Sequence, residues 1–157
     1  MKKAVYPGSF DPITYGHLDI IERALAVFDE VTVAVFNNPD KEQFFSFAER
    51  RSLIQRSLNH ANVKVDTFDG LLVDYAKAHC IQTVIRGLRA VSDFDYEFQL
   101  ALTNRQLGHT IDTLFFMTDQ NYSYLSSSLV RQVCRFGGDV SAFVPPAVEK
   151  EIRRKIT

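Results

Sequence analysis

Cysteine is scarce in this sequence: Cys80 and Cys134 are the only two among 157 residues, and they form no CxxC pairing. That excludes a disulfide scaffold and a cysteine-built zinc ribbon, and predicts two reduced, partly buried thiols. The four histidines show no ligand spacing relative to those cysteines, so no protein metal cage is expected. No stretch approaches the ~18 apolar residues of a membrane span, and MKKAVYPGSF lacks the ~7–15-residue apolar core of a signal peptide. A basic excess is missing as well. Against 18 Lys and Arg stand 19 Asp and Glu, a net charge of −1, which gives no global electrostatic reason to expect nucleic acid. These absences predict a cytoplasmic protein with no membrane or nucleic-acid partner. Any phosphate chemistry must come from a local basic site.

The chain is otherwise that of an ordinary folded domain, with 46% hydrophobic and 24% charged residues, enough to bury a core. Compact apolar runs at Ala4–Tyr6, Val31–Phe36, Val63–Phe68, Thr83–Ile85 and Thr113–Met117 read as strands covered on both faces. Between them the period becomes helical. Leu18, Ile21, Leu25 and Phe28 make one apolar stripe on a helix starting near His17. Ser46-Phe47-Ala48-Glu49 is a capping box opening a helix that buries Leu53, Ile54 and Leu58. Asp69 and Asp93 are placed to cap the next two helices, the second running to about Leu107. Ser127 or Ser128 starts another, stopped by Gly137-Gly138, and Pro145-Pro146 begins the last, to Ile156. The order β-α-β-α-β-α-β-α-β-α-α predicts an α/β fold: a Rossmann-like, doubly wound, five-stranded parallel sheet in a single domain over residues 1–157. Ligands of such sheets bind at the carboxyl ends of the strands.

The densest candidate site follows the first strand. In Pro7-Gly8-Ser9-Phe10-Asp11-Pro12-Ile13-Thr14-Tyr15-Gly16-His17, two prolines and two glycines impose a compact loop that leads into a helix. The helix start offers free N–H groups and a positive dipole end, Gly16 admits close backbone approach, and Ser9 and His17 add donors. The string matches neither GxGxxG nor GxxxxGK[ST], and no GxSxG elbow supports a hydrolase. Three further segments fall at the same sheet edge: Lys41 after the second strand, Arg86-Gly87-Leu88-Arg89 after the fourth, and Tyr122 to Arg131 after the fifth. Paired guanidiniums suit oxyanions, and serines at a helix start gather hydroxyls and N–H groups at a dipole end.

SFDPITYGH resembles the [HT]xGH signature of the nucleotidyltransferase superfamily, with Thr14 in place of the first His of many members. YPGSFDPxTxGH, RGLRAVSDFDYEFQLALTNR and the LSSSLVR form of [IL]SS[ST]xxR are together similar to the bacterial phosphopantetheine adenylyltransferase family along nearly the whole chain. Many members have Thr where this chain has Ser9, which keeps the hydroxyl. The resemblance implies adenylyl transfer from ATP to 4′-phosphopantetheine. It implies catalytic roles for Ser9, Lys41, Arg86 and His17, with Leu72 also on the pantetheine side. It places ATP against Ser9, Phe10, His17, Gly87, Leu88, Arg89, Glu97, and the run Tyr122, Ser123, Tyr124, Leu125, Ser126, Ser127, Ser128. It further implies Mg²⁺ carried with ATP, feedback binding of coenzyme A and a homohexamer, for which Tyr96 to Leu102 could supply apolar contacts. Two alternatives stay open: a relative acting on nicotinate mononucleotide, whose start usually reads GG[ST]FDPxHxGH and which lacks RGLR, and a non-catalytic nucleotide-binding module. His60, His79 and His109 match no motif and read as surface or structural.

Overall fold

The computed structural model describes residues 1–36, 42–89 and 91–156, with the backbone alone for Val91 and Ser92. Its elements are β1 (Lys3–Gly8), α1 (Tyr15–Leu25), β2 (Glu30–Phe36), α2 (Phe47–Ser57), β3 (Val63–Phe68), α3 (Leu72–Ala78), β4 (Thr83–Leu88), α4 (Val91–Leu107), β5 (Asp112–Met117), α5 (Ser127–Arg135) and α6 (Pro146–Ile156). A single 3₁₀ turn at Gln120–Tyr122, which has no counterpart in the sequence reading, precedes α5. The strands form one parallel sheet in the order β3-β2-β1-β4-β5. The order reverses direction beside β1, and that switch point is where a doubly wound sheet opens a crevice.

Alternation along the strands explains why the sheet is covered twice. Ala4 and Tyr6 of β1, Val31, Val33 and Val35 of β2, and Ile85 of β4 point into one cluster with Ile20, Ile21, Leu53, Ile54, Val130, Val148 and Ile152. Val5, Ala34 and Val84 point the other way, into a smaller cluster with Val73, Tyr75, Ala76, Ile81 and Ile111. Helices α1, α2, α5 and α6 thus cover one face and α3 covers part of the other. Each fully buried aliphatic contributes about 1.5–3 kcal/mol.

The capping box at Ser46 and Glu49 is formed as read. Two proposed caps are not. Helix α3 begins after Leu71 with no side-chain cap, because Asp69 turns its carboxylate to the amide of the adjoining Gly70. Helix α4 begins at Val91, so Asp93 lies in its first turn, where it accepts from Arg89 Nε at 3.1 Å. Two strands also run further than expected. Gly8 pairs with Val35, and Arg86, Gly87 and Leu88 pair with Phe115, Phe116 and Met117. The basic tripeptide is therefore the end of β4 rather than a loop after it. The thiols divide as well: Cys134 is buried, but Cys80 is exposed rather than partly buried.

Candidate active site

The loop after β1 is built by its own side chains. Thr14 is the N-cap of α1 in a reciprocal box with His17. The Thr14 amide donates to His17 Nδ1 at 3.0 Å, and the Thr14 hydroxyl accepts from the His17 amide at 3.4 Å. Phe10 is fully buried in the left-handed region, φ 46°. Its ring packs edge-on against Tyr6 at 5.3 Å and His17 at 5.1 Å. Asp11, in a cis peptide with Pro12, accepts from the amides of Phe44 and Phe45, both at 2.8 Å. The far end of the loop is tied to α5: Ser127 donates to the Pro12 carbonyl at 2.8 Å and Arg131 to the Asp11 carbonyl.

Above this loop lies a cavity of about 490 Å³ at the carboxyl ends of β1, β2 and β4. Its walls bring together Ser9, Phe10 and His17 from the first loop, Arg86 and Gly87 from β4, Arg89 and Glu97 beside it, and Leu125 to Ser128 at the start of α5. Two of its glycines allow close packing of neighbouring side chains. A Cβ on Gly8 would come within 2.9 Å of the Phe10 ring, and one on Gly87 within 3.0 Å of Ile20 on α1. Lys41 lies outside the described residues. Leu72 does not line the cavity but packs against the smaller core cluster. Leu88, Tyr122, Ser123 and Tyr124 also fall outside the lining.

Electrostatics of the cavity follow from its pairs. Arg86 sets its fork on Glu97, Nε to Oε2 at 2.5 Å and the terminal nitrogen to Oε1 at 2.6 Å, and also donates to the Pro7 carbonyl at 3.1 Å. Burial works against the Arg86 charge, but the Glu97 carboxylate outweighs it and keeps its pKa above the ordinary value. Arg89 joins Asp93 and the Leu125 carbonyl, the latter at 2.8 Å. Ser126 accepts from the Leu129 amide at 3.1 Å as the N-cap of α5. Burial, then the fields of Arg89 and Arg86, lower His17 to about 4. Its ring is therefore neutral, with Nδ1 occupied as an acceptor and the proton on Nε2.

Several wall residues were missed by motif reading. Tyr6, buried with its pKa raised chiefly by desolvation, lay in a strand, Arg50 lay in a helix, and Asp11 stood unremarked inside the quoted loop. Thr14 and Arg131 stood inside quoted motifs, and their spacing was the available signal. Among the described residues, no three His, Cys, Asp or Glu side chains are grouped to hold a metal. Of the four cavity carboxylates, those of Asp11, Asp93 and Glu97 are already engaged by amides or guanidiniums, which leaves the exposed Glu42 as a lone carboxylate. That donor set does not fit a protein-held cation.

Residues 5–133 match the cytidylyltransferase-like family model. A phosphopantetheine adenylyltransferase of Alkaliphilus metalliredigens is 52% identical over 156 residues, covering 99% of each chain. Among solved structures, a nicotinic acid mononucleotide adenylyltransferase of Plasmodium falciparum, complexed with NaAD, aligns with TM-score 0.71. It has 17% identity over 98% of this chain and 96% of its own. A bifunctional NMN adenylyltransferase/ADP ribose pyrophosphatase of Francisella tularensis gives the same TM-score at 16% identity, over 98% of this chain and 48% of its own. At such identities these structures speak to the fold alone. The family model over residues 5–133 and the 52% identical relative make this chain a nucleotidyltransferase. Within that class, the chain belongs to the phosphopantetheine adenylyltransferase family.

Proposed function

We propose that this protein transfers the adenylyl group of ATP to 4′-phosphopantetheine, giving dephospho-coenzyme A and pyrophosphate, the penultimate step of coenzyme A synthesis. The observation that carries this reading is the convergence of Ser9, His17, Arg86 and the α5 start on one cavity, in a chain 52% identical to a relative of that name. An oxygen of the acceptor phosphate forms a bond to the α-phosphorus. The bond from that phosphorus to the α–β bridging oxygen breaks, and pyrophosphate leaves with the electron pair. The acceptor is already an anion, so no general base is required. Catalysis is positioning two anions in line and stabilising charge.

Ser9, Arg86 and Lys41 serve the acceptor phosphate. Neutral His17 donates from Nε2 to oxygens at the α- and β-phosphates. Phe10, Gly87, Arg89 and residues 125–128, all on the cavity wall, hold ATP. Glu97 acts on the nucleotide side through Arg86, since both its oxygens are engaged there. Leu72 borders the pantetheine arm. Mg²⁺ would come with the nucleotide and would neutralise phosphate charge there. The chain works as one cytoplasmic nucleotidyltransferase domain, residues 1–157, and no described helix is long and apolar enough to cross a membrane. Coenzyme A, which shares the pantetheine arm, binds in feedback.

Assembly into a homohexamer is part of the same reading. Tyr96, Phe98 and Leu102 of α4 and Leu114 and Met117 of β5 are all exposed. Phe94 and Phe98 stack at 5.6 Å on that surface. So much uncovered apolar area favours subunit contact. The functional test is direct: incubate the protein with ATP and phosphopantetheine and weigh the product. A product one adenylyl group heavier than the acceptor supports the reading, and unchanged acceptor refutes it.

A further inference from the structure

In the cavity wall sits a further basic group that no motif marks. Arg50, on α2, is 1% exposed. One terminal nitrogen donates to the Ser9 carbonyl at 2.9 Å and to the Phe36 carbonyl at 3.4 Å. The other reaches Gln43 Oε1 at 3.3 Å, and the guanidinium lies 4.6 Å from the Phe47 ring centroid. Its Nε has no hydrogen-bond partner among the described residues. Arg50 is also without a salt bridge to any described carboxylate, whereas Arg86 and Arg89 each have one. Only the Asp11 carboxylate nearby favours its charge, against a larger desolvation cost.

A buried guanidinium held mainly by neutral acceptors is expensive, so its geometry points to what it does. Its partners are three chain segments that meet at one corner of the cavity: the loop at Ser9, the end of β2 at Phe36, and Gln43. Phe36 and Gln43 lie on either side, in sequence, of the stretch that contains Lys41. Asp11 secures the same corner by holding the amides of Phe44 and Phe45. We infer that Arg50 is a positioning residue for the acceptor half of the site, fixing the Ser9 loop against the end of β2 at Phe36 and against Gln43, and lending buried positive charge to that corner. The ATP half is anchored separately, through Arg89 on Leu125 and Ser127 on Pro12. Loss of Arg50 therefore separates the two substrates.

This inference rests on the adenylyl-transfer reading, and its test has two arms. Wild type, Arg50→Lys and Arg50→Met are compared for kcat/KM toward phosphopantetheine, and for ATP affinity by calorimetry without acceptor. Arg50→Met should lower acceptor kcat/KM roughly 10²-fold, as misplacement of positioned groups does, and Arg50→Lys, which keeps the charge but not the planar fork, about 10-fold. ATP affinity should stay within about twofold, as expected for a group outside the nucleotide subsite. Either variant can decide the matter if the other fails to fold. Near wild-type acceptor kcat/KM, or an equal loss of ATP affinity, overturns the inference. The second arm needs no substrate: amide exchange in Arg50→Lys should quicken around Ser9 and Phe44 but not in α6. If the wild type leaves phosphopantetheine untouched, the functional reading falls and exchange alone judges Arg50, with unchanged exchange at both segments refuting it.

Discussion

The amide of Thr14 donates to Nδ1 of His17 at 3.0 Å, and this one contact determines what His17 offers a ligand. A nitrogen that accepts is unprotonated, so Nε2 carries the hydrogen. A neutral donor stabilises charge growing on phosphate oxygens without taking a proton from anything. His17→Ala should lower kcat by roughly 10²–10³-fold, the range seen on removing one oxyanion donor. Steady-state turnover measures it, and a kcat near wild type removes His17 from the mechanism.

His17 also couples folding to pH. Its value falls from 6.5 to about 4 in the folded protein, through burial first and then Arg89 and Arg86. Between those two values the unfolded chain binds more protons, so stability rises with pH. The contribution is complete above about 6.5 and is lost as pH falls through about 4. At 1.36 kcal/mol per unit its ceiling is about 3 kcal/mol, less because the ring borders an open cavity. Urea unfolding of ligand-free protein across this window should show the slope, and His17→Gln should flatten it. An equally steep slope in the variant contradicts the assignment.

The Arg86–Glu97 pair predicts a separation of substrates. Arg86→Ala should weaken phosphopantetheine binding and leave ATP affinity nearly unchanged. Calorimetry giving the reverse would exchange the two subsites. Glu97→Ala strands a largely buried guanidinium and should cost about 3 kcal/mol of stability in denaturant unfolding.

Phe98 tests the assembly. Phe98→Glu places a charge on the apolar surface of α4 and should yield smaller species than wild type in sedimentation velocity. Identical sedimentation of the two proteins rejects this face as the contact.

Most of the architecture was legible because period and composition agree. The apolar runs that pack both faces of β1 and β2 alternate with amphipathic helices, and Ser46 with Glu49 marks α2 unambiguously. The errors have local causes. Asp69 and Asp93 have the right chemistry for caps, but each finds a nearer partner in Gly70 or Arg89. Arg86 was placed after the strand because the apolar run ends at Ile85, yet pairing continues to Leu88, and Gly87 lets β4 close on Ile20. Arg50 was invisible in sequence, since a helix arginine in a run of polar residues looks solvated until the fold buries it. The walls supplied by Ser126 to Ser128 were legible only through resemblance, because capping serines are common.

The identity of the acceptor can be measured directly. Pyrophosphate release should be followed with ATP and either phosphopantetheine or nicotinate mononucleotide, at equal concentrations. Release with phosphopantetheine alone is the predicted result. Release with nicotinate mononucleotide alone would contradict it.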